Sequence, residues 1–541
     1  MKKIKFSHIL LITILLASSC KQEPIVPVAA TPPDAGPAPA AGSASFTKFV
    51  AIGNSLAAGY QAGALFTSGQ DNSFPAMLAK QFALVGGGAF NQPSINSVNG
   101  YYGTAGPFIL GRLKLFDPDG AGPRSAAPTP TGAPATTSTC PSTVTTPAIP
   151  GTGGDLPTPF AGNKATLNNF GVPGIQIGQV LTPLTGGPST GNPAYNGLYA
   201  RFATSPGTST ILGDALAAKG TFILFELGNN DILGYATQGG LWSASVAIPG
   251  AVPLTPTATF SGYYNAAIGA LLASDANLKG VVANIPDVTS IPFFFTVSWN
   301  PITLDAGTVA ALTSTSPTSP GLSTAYNGFL AQIKAAGVIT QAEMDKRLLA
   351  YKVGAGNPIL ISDETLTDLS PYMTGAAAAL VPYARARQTT ATDLVTLPAG
   401  GVLGTCYGGS PLAVFGVSYP MADQYILIPT ETTEIKTRTA ELNGVIKAAV
   451  DASNNRLALA DVNAFFNTFV ANKAAVVNGV TITPSLAPPT GGFSEDGVHP
   501  NTRGYAYLAN VYIDAINAKF GSTLPKVDIS LYGGTGLPVT P

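Results

Sequence analysis

Histidine is nearly absent from this chain: its 541 residues include two, and His8 falls in an N-terminal apolar segment, so His499 stands alone in the rest. Chemistry that needs an imidazole near neutral pH therefore has one candidate. Charge is scarce as well, 10% of residues against roughly 25% in an ordinary soluble domain. Lys and Arg number 27 against 28 Asp and Glu, for a net charge of −1. There is no basic cluster interleaved with aromatics, which argues against a nucleic-acid partner. Beyond residue 20 only Cys140 and Cys406 remain, and two cysteines with one histidine are too few for a typical zinc cluster. No later apolar run reaches the roughly 18 residues a membrane-spanning helix needs. Gly, Pro, Thr, Ser, Ala and Asn are abundant instead, the composition of an exported surface protein.

Lys2, Lys3 and Lys5 precede an apolar run at 9–16, which reads as a signal segment to be removed. Leu16-Ala17-Ser18-Ser19-Cys20 resembles the lipobox of bacterial lipoproteins, with Ala17 where Leu is usual and Leu16 one residue further out. That resemblance implies acylation of Cys20, and hence a lipid anchor in the bacterial envelope, at the outer membrane or the cell surface. The alternative is an ordinary secretory signal cleaved nearby. Residues 21–45 are Pro- and Ala-rich without periodicity and are expected to form a flexible tether.

The folded body is expected at 46–541. Apolar, β-branched runs at 46–52, 221–227, 281–285, 425–428 and 457–460 read as buried parallel strands. Helical periodicity at 432–450 and 502–520 falls among them, which predicts an α/β fold, a three-layer α/β/α sandwich around a central parallel sheet. Long inserts at 117–162, 237–256 and 301–321 lack such a period and read as loop decorations on one domain. In an oxidising compartment Cys140 and Cys406 could bridge and tie one insert to the body; two unpaired thiols are the other reading.

His499 sits in Asp496-Gly497-Val498-His499-Pro500, where Asp496 can fold back through the turn at Gly497 to hold one ring nitrogen. Alone, such a pair is more often a capping or surface feature. A second block strengthens it: the first strand runs into Gly53-Asn54-Ser55-Leu56, which puts a serine at the carboxyl edge of a buried strand, where open α/β sheets keep their sites. A third block, Glu226-Leu227-Gly228-Asn229-Asn230-Asp231, also ends a strand, and an Asn amide there can donate to a developing oxyanion. A fourth, Asn168 to Gly174, offers glycine N–H groups that an acyl oxygen could approach. Each block by itself reads equally well as a turn.

Serine, glycine, asparagine and histidine blocks in this order resemble the SGNH hydrolases, also called GDSL esterases and lipases. The resemblance implies a flavodoxin-like sandwich, Ser55 as nucleophile, His499 as base and Asp496 as the acid that orients it. It further implies an oxyanion hole from the N–H groups of Ser55 and Gly174 with the Asn230 side chain, Gly171 being the reserve choice for the glycine. One departure stands out: Asn54 replaces the family's usual Asp. A rival Gly-x-Ser-x-Gly pattern, Gly187 to Gly191 around Ser189, lacks the apolar strand that a nucleophile elbow needs.

The implied reaction is hydrolysis of a carboxylic ester through an acyl-enzyme, with no cofactor and with activity falling as the imidazole becomes protonated. Pro292-Phe293-Phe294-Phe295 and Trp299 are candidates for an apolar acyl pocket, or else for core. An acetyl esterase acting on polysaccharide and a non-catalytic surface lipoprotein that binds glycans or adheres are the competing expectations.

Overall fold

The computed structural model describes residues 38–116, 124–126, 136–138, 140, 144–146, 153–241 and 251–538. The expected signal, Cys20 as the expected lipid attachment site, and most of the expected tether lie outside them. Chain from Pro39 onward forms one compact unit. The tether ends sooner than its composition suggested: Ser43 N donates to Phe520 O at 2.8 Å, Thr523 N donates to Ala40 O at 3.0 Å, and Ala44 is buried.

Five strands build the central sheet: β1 (Phe49–Gly53), β2 (Asn169–Gly171), β3 (Phe222–Glu226), β4 (Lys279–Ala283) and β5 (Leu457–Ala460). All pairings are parallel, and the spatial order is β2-β1-β3-β4-β5. Every residue of β1 and β3 is buried, which explains why they read as continuous apolar runs without alternation. The order reverses between β1 and β3, so the crevice at their carboxyl ends is the topological switch point.

Helices flank this sheet. α1 (Ser55–Ala58) and α2 (Phe74–Ala83) follow β1; α3 (Ile211–Ala217) precedes β3; α4 (Asn230–Thr237) and α5 (Thr257–Ser274) follow it. α6 (Pro429–Asp451) leads into β5, and α7 (Val462–Asn472) and α8 (Thr502–Phe520) complete the body. α6 packs on α5 and α8 on α2, while both α6 and α8 touch β4 and β5. The resulting core includes Phe222, Phe225, Tyr264, Ile446, Tyr505 and Tyr512.

Two sequence expectations are corrected. The run at 425–428 is not a strand of the central sheet: Ile426–Leu427 pairs antiparallel with Leu394–Val395 in a two-stranded ribbon. A short apolar run buries itself equally well in either setting, so its composition cannot distinguish them. The segment at 301–321 is no plain loop either. It holds a strand, Ile302–Leu304, and a helix, Ala306–Leu312. Both belong to a larger subassembly between β4 and α6 that has its own apolar clusters, one around Tyr326, Leu330 and Leu360, another around Ile359, Val395 and Met421.

Candidate active site

At the end of β1 the chain turns into α1 through Asn54, whose Oδ1 accepts from Leu56 N at 2.8 Å and caps the helix. Ser55 is thereby the first helical residue, and its N–H has no partner within the helix. Its Oγ lies 2.9 Å from His499 Nε2. The opposite ring nitrogen, Nδ1, lies 2.9 Å from Asp496 Oδ2. Ser55 and His499 are 444 positions apart in sequence and meet side by side at the switch point.

The Asp496 carboxylate is held from several directions. Oδ1 accepts from Val498 N and His499 N, each at 2.9 Å, and Oδ2 accepts from Gly63 N at 2.8 Å. The Ser494 hydroxyl sits 3.1 Å from Oδ1 and itself accepts from Ala62 N at 2.9 Å. Burial alone would raise this carboxyl, but attraction to His499 and the hydrogen bonds outweigh it and hold the group down at about 2. Asp496 is therefore ionised at neutral pH and favours the tautomer with hydrogen on Nδ1, which leaves the Nε2 lone pair toward Ser55. The His499 loop is braced from behind, where Phe293 N donates to Gly497 O at 2.9 Å.

The second block docks onto the Ser55 turn. Val172 N donates to Gly53 O at 2.9 Å, and the Asn169 amide donates to Ala57 O at 2.9 Å. Between the two candidate glycines the geometry decides. The Gly171 N–H is already bonded to Asn169 Oδ1 at 2.9 Å, and a Cβ there would come within 2.5 Å of Ala58 N, so this glycine lets two backbones touch. Gly174 adopts φ +77° with open space where a Cβ would stand, and among the described residues its N–H meets no acceptor. The Asn230 amide lies beside it, donating to Ile175 O at 2.9 Å. Asp231 fastens this junction, accepting from Ile177 N at 3.0 Å and from Thr255 Oγ1 at 2.8 Å.

Beneath the site lies Glu226, the last residue of β3, whose Oε1 accepts from Asn54 Nδ2 at 3.0 Å and Asn229 Nδ2 at 2.6 Å. Its structural role, like those of Ser494 and Asp231, was not visible in the sequence. All three stand within or beside the recognised blocks, but nothing in their spacing marks them as buried.

Ser189 is exposed and lies outside every described helix and strand, and His499 is the sole imidazole among the described residues. Phe293 and Phe294 are buried in the main core, Phe295 is exposed, and Trp299 packs against the cluster around Ile359. Cys140 and Cys406 are joined as a disulfide with their Cα atoms 5.6 Å apart. Compared with models of protein families, with curated proteins and with solved structures, the chain matches none.

Proposed function

We propose that this protein is a hydrolase working through a serine, histidine and aspartate triad. More particularly, we read it as an SGNH/GDSL-type serine ester hydrolase, tethered to the bacterial envelope by a lipid on Cys20. The observation that carries the reading is the continuous relay from Ser55 Oγ to His499 Nε2 and from His499 Nδ1 to Asp496 Oδ2, each link 2.9 Å. Support comes from the four ordered blocks, which converge at the carboxyl edge of a parallel sheet.

In this reading His499 Nε2 removes the Ser55 proton as Oγ bonds to the ester carbonyl carbon, and the carbonyl π pair moves onto oxygen. The Ser55 and Gly174 N–H groups and the Asn230 amide receive that oxyanion. Collapse expels the alcohol, which takes the proton from His499 and leaves an acyl group on Ser55. Water, deprotonated by the same nitrogen, then bonds to the acyl carbon, and as the bond to Oγ breaks the acid leaves and His499 returns the proton to Oγ.

Hydrolysis of p-nitrophenyl esters by a soluble chain starting at Pro39 tests this directly. Ser55→Ala and His499→Ala are each expected to lower kcat by about 10³ or more, and Ser55→Ala to abolish labelling by a fluorophosphonate. A wild-type protein that is neither labelled nor active on any ester would refute the assignment in favour of a non-catalytic binding protein.

A further inference from the structure

An apolar recess opens between α7 and α8, beside the triad. Leu56, the residue after Ser55, lines it, as do Val498 and Pro500 on either side of His499. Phe466, Phe493 and Leu508 form its inner walls. Phe465, Phe469 and Tyr507 line both this recess and a second one that continues along α7 as far as Asn472 and Ala475. Among the described residues, none that lines either recess is charged.

These walls are built, not incidental. Tyr507 packs against Phe465 and Phe469 with ring centroids 4.8 and 5.4 Å apart, and Phe466 packs against Phe493 at 5.8 Å. A sugar placed here would leave its hydroxyls desolvated and largely unbonded, at a cost for each unsatisfied group. An acetyl group would leave the recess almost empty. From Phe465 to Asn472 the helix advances about 10 Å, room for an alkyl chain of medium length or more.

We propose that this double recess is the acyl subsite, and that the substrate is an ester of a medium- or long-chain fatty acid. This rests on the serine-hydrolase reading above and names its substrate class. The acyl carbon bonded to Ser55 Oγ would send its chain past Leu56 and Val498 and out along α7. Each methylene buried should then raise kcat/KM by about fourfold until the recess is full.

The test is a ladder of p-nitrophenyl esters from acetate through butyrate and octanoate to palmitate, run with wild type, Leu508→Trp and Ala464→Trp. Leu508 lies in the inner wall; Ala464 is exposed on the rim of the outer recess, so its replacement does not disturb the core. Leu508→Trp is expected to lower the octanoate-to-acetate ratio of kcat/KM at least tenfold, and Ala464→Trp to lower the palmitate-to-butyrate ratio similarly. A flat ladder in the wild type, ratios unchanged in both variants, or a dependence on alcohol length in alkyl acetates would overturn the proposal. If no ester is cleaved, decanoic acid binding by calorimetry separates the two ideas. Binding weakened at least tenfold by Ala464→Trp would keep the fatty-acyl site while the hydrolase reading fails; no binding by wild type would overturn the site as well.

Discussion

Asn54 donates its side-chain amide to Glu226 across 3.0 Å, joining the Ser55 turn to the turn that carries Asn230. Asn229 donates to the same oxygen, while Glu226 Oε2 is buried without a hydrogen-bond partner among the described residues. Burial raises this carboxyl to about 8, the donated amide hydrogens offsetting part of the effect. Folded protein thus keeps a proton that the unfolded chain releases near about pH 4.3. The stability from this group is fully present below that pH and is lost as pH climbs toward about 8. Glu226→Gln should flatten this part of the Tm profile between about pH 4 and pH 8, as followed by circular dichroism; an unchanged slope would show that Glu226 ionises freely in the fold.

Asn54→Asp places a second carboxyl against Glu226. Two such groups cannot both ionise at this distance, so one proton is retained between them. Tm should fall more, relative to wild type, at about pH 8 than at about pH 5. Asp can still accept from Leu56 N, so turnover should stay within about tenfold of wild type. A loss as large as that of Ser55→Ala would mean that the amide itself serves the chemistry.

Asp496→Asn keeps the size of the side chain and removes the charge that, in the proposed mechanism, would stabilise an imidazolium. The amide presents a donor where Nδ1–H needs an acceptor and so favours the wrong tautomer, for which a fall in kcat of about 10³–10⁴ is expected. Ser494→Ala, which removes one of several supports of the carboxylate, should cost no more than about tenfold. Equal losses in the two variants would point to collapse of the loop, and loss of secondary-structure signal would reveal it.

The Cys140–Cys406 bridge closes a span of 266 residues and fastens the insert after β1 to the subassembly between β4 and α6. Replacing both with Ser should destabilise the fold by about 2–5 kcal/mol, read as a lower Tm. Thiol titration of the unfolded chain from Pro39 onward should find no free thiol before reduction and two after it. One reactive thiol before reduction would show that the bridge does not form.

Glu364, Asp423 and Glu431 bring carboxylate oxygens within 4.8 Å of one another where that subassembly meets α6. Burial first, and then the charge of Glu364, raise Asp423 to about 7 and Glu431 to about 9. Both hold protons in the fold that they lose when unfolded, so this corner weakens the protein as pH rises. Removing the exposed member by Glu364→Gln should raise Tm at about pH 8 and change it little at about pH 4. A drop in Tm at both pH values would show that Glu364 supports the corner instead of straining it.

Several features were legible in the sequence because they depend on local pattern. Strands β1, β3, β4 and β5 are apolar runs long enough to be buried on both faces, and α8 spans Thr502–Phe520, as its periodicity predicted. β2 was missed because Asn169–Gly171 has three residues and only one large apolar side chain. Its place is secured by side-chain amides, Asn168 donating to Phe49 O and Asn169 to Ala57 O. The subassembly between β4 and α6 escaped because its elements are short and its clusters join residues such as Tyr326 and Leu360 that no single periodic window contains.

The scarcity of histidine made His499 the one candidate imidazole, and the edges of apolar runs marked Ser55 and Asn230; these are properties of the chain read in order. Only the tertiary structure decided that Ser55 Oγ and His499 Nε2 lie 2.9 Å apart, that the Gly171 N–H is bonded while the Gly174 N–H meets no acceptor among the described residues, and that Phe293 and Phe294 are buried in the core while Phe465 and Phe469 line a recess. The physical reason is the same in each case. Propensity and burial pattern act over a few neighbouring residues, whereas distance, hydrogen-bond saturation and cavity shape are set by segments hundreds of residues apart that meet only when the sheet is assembled.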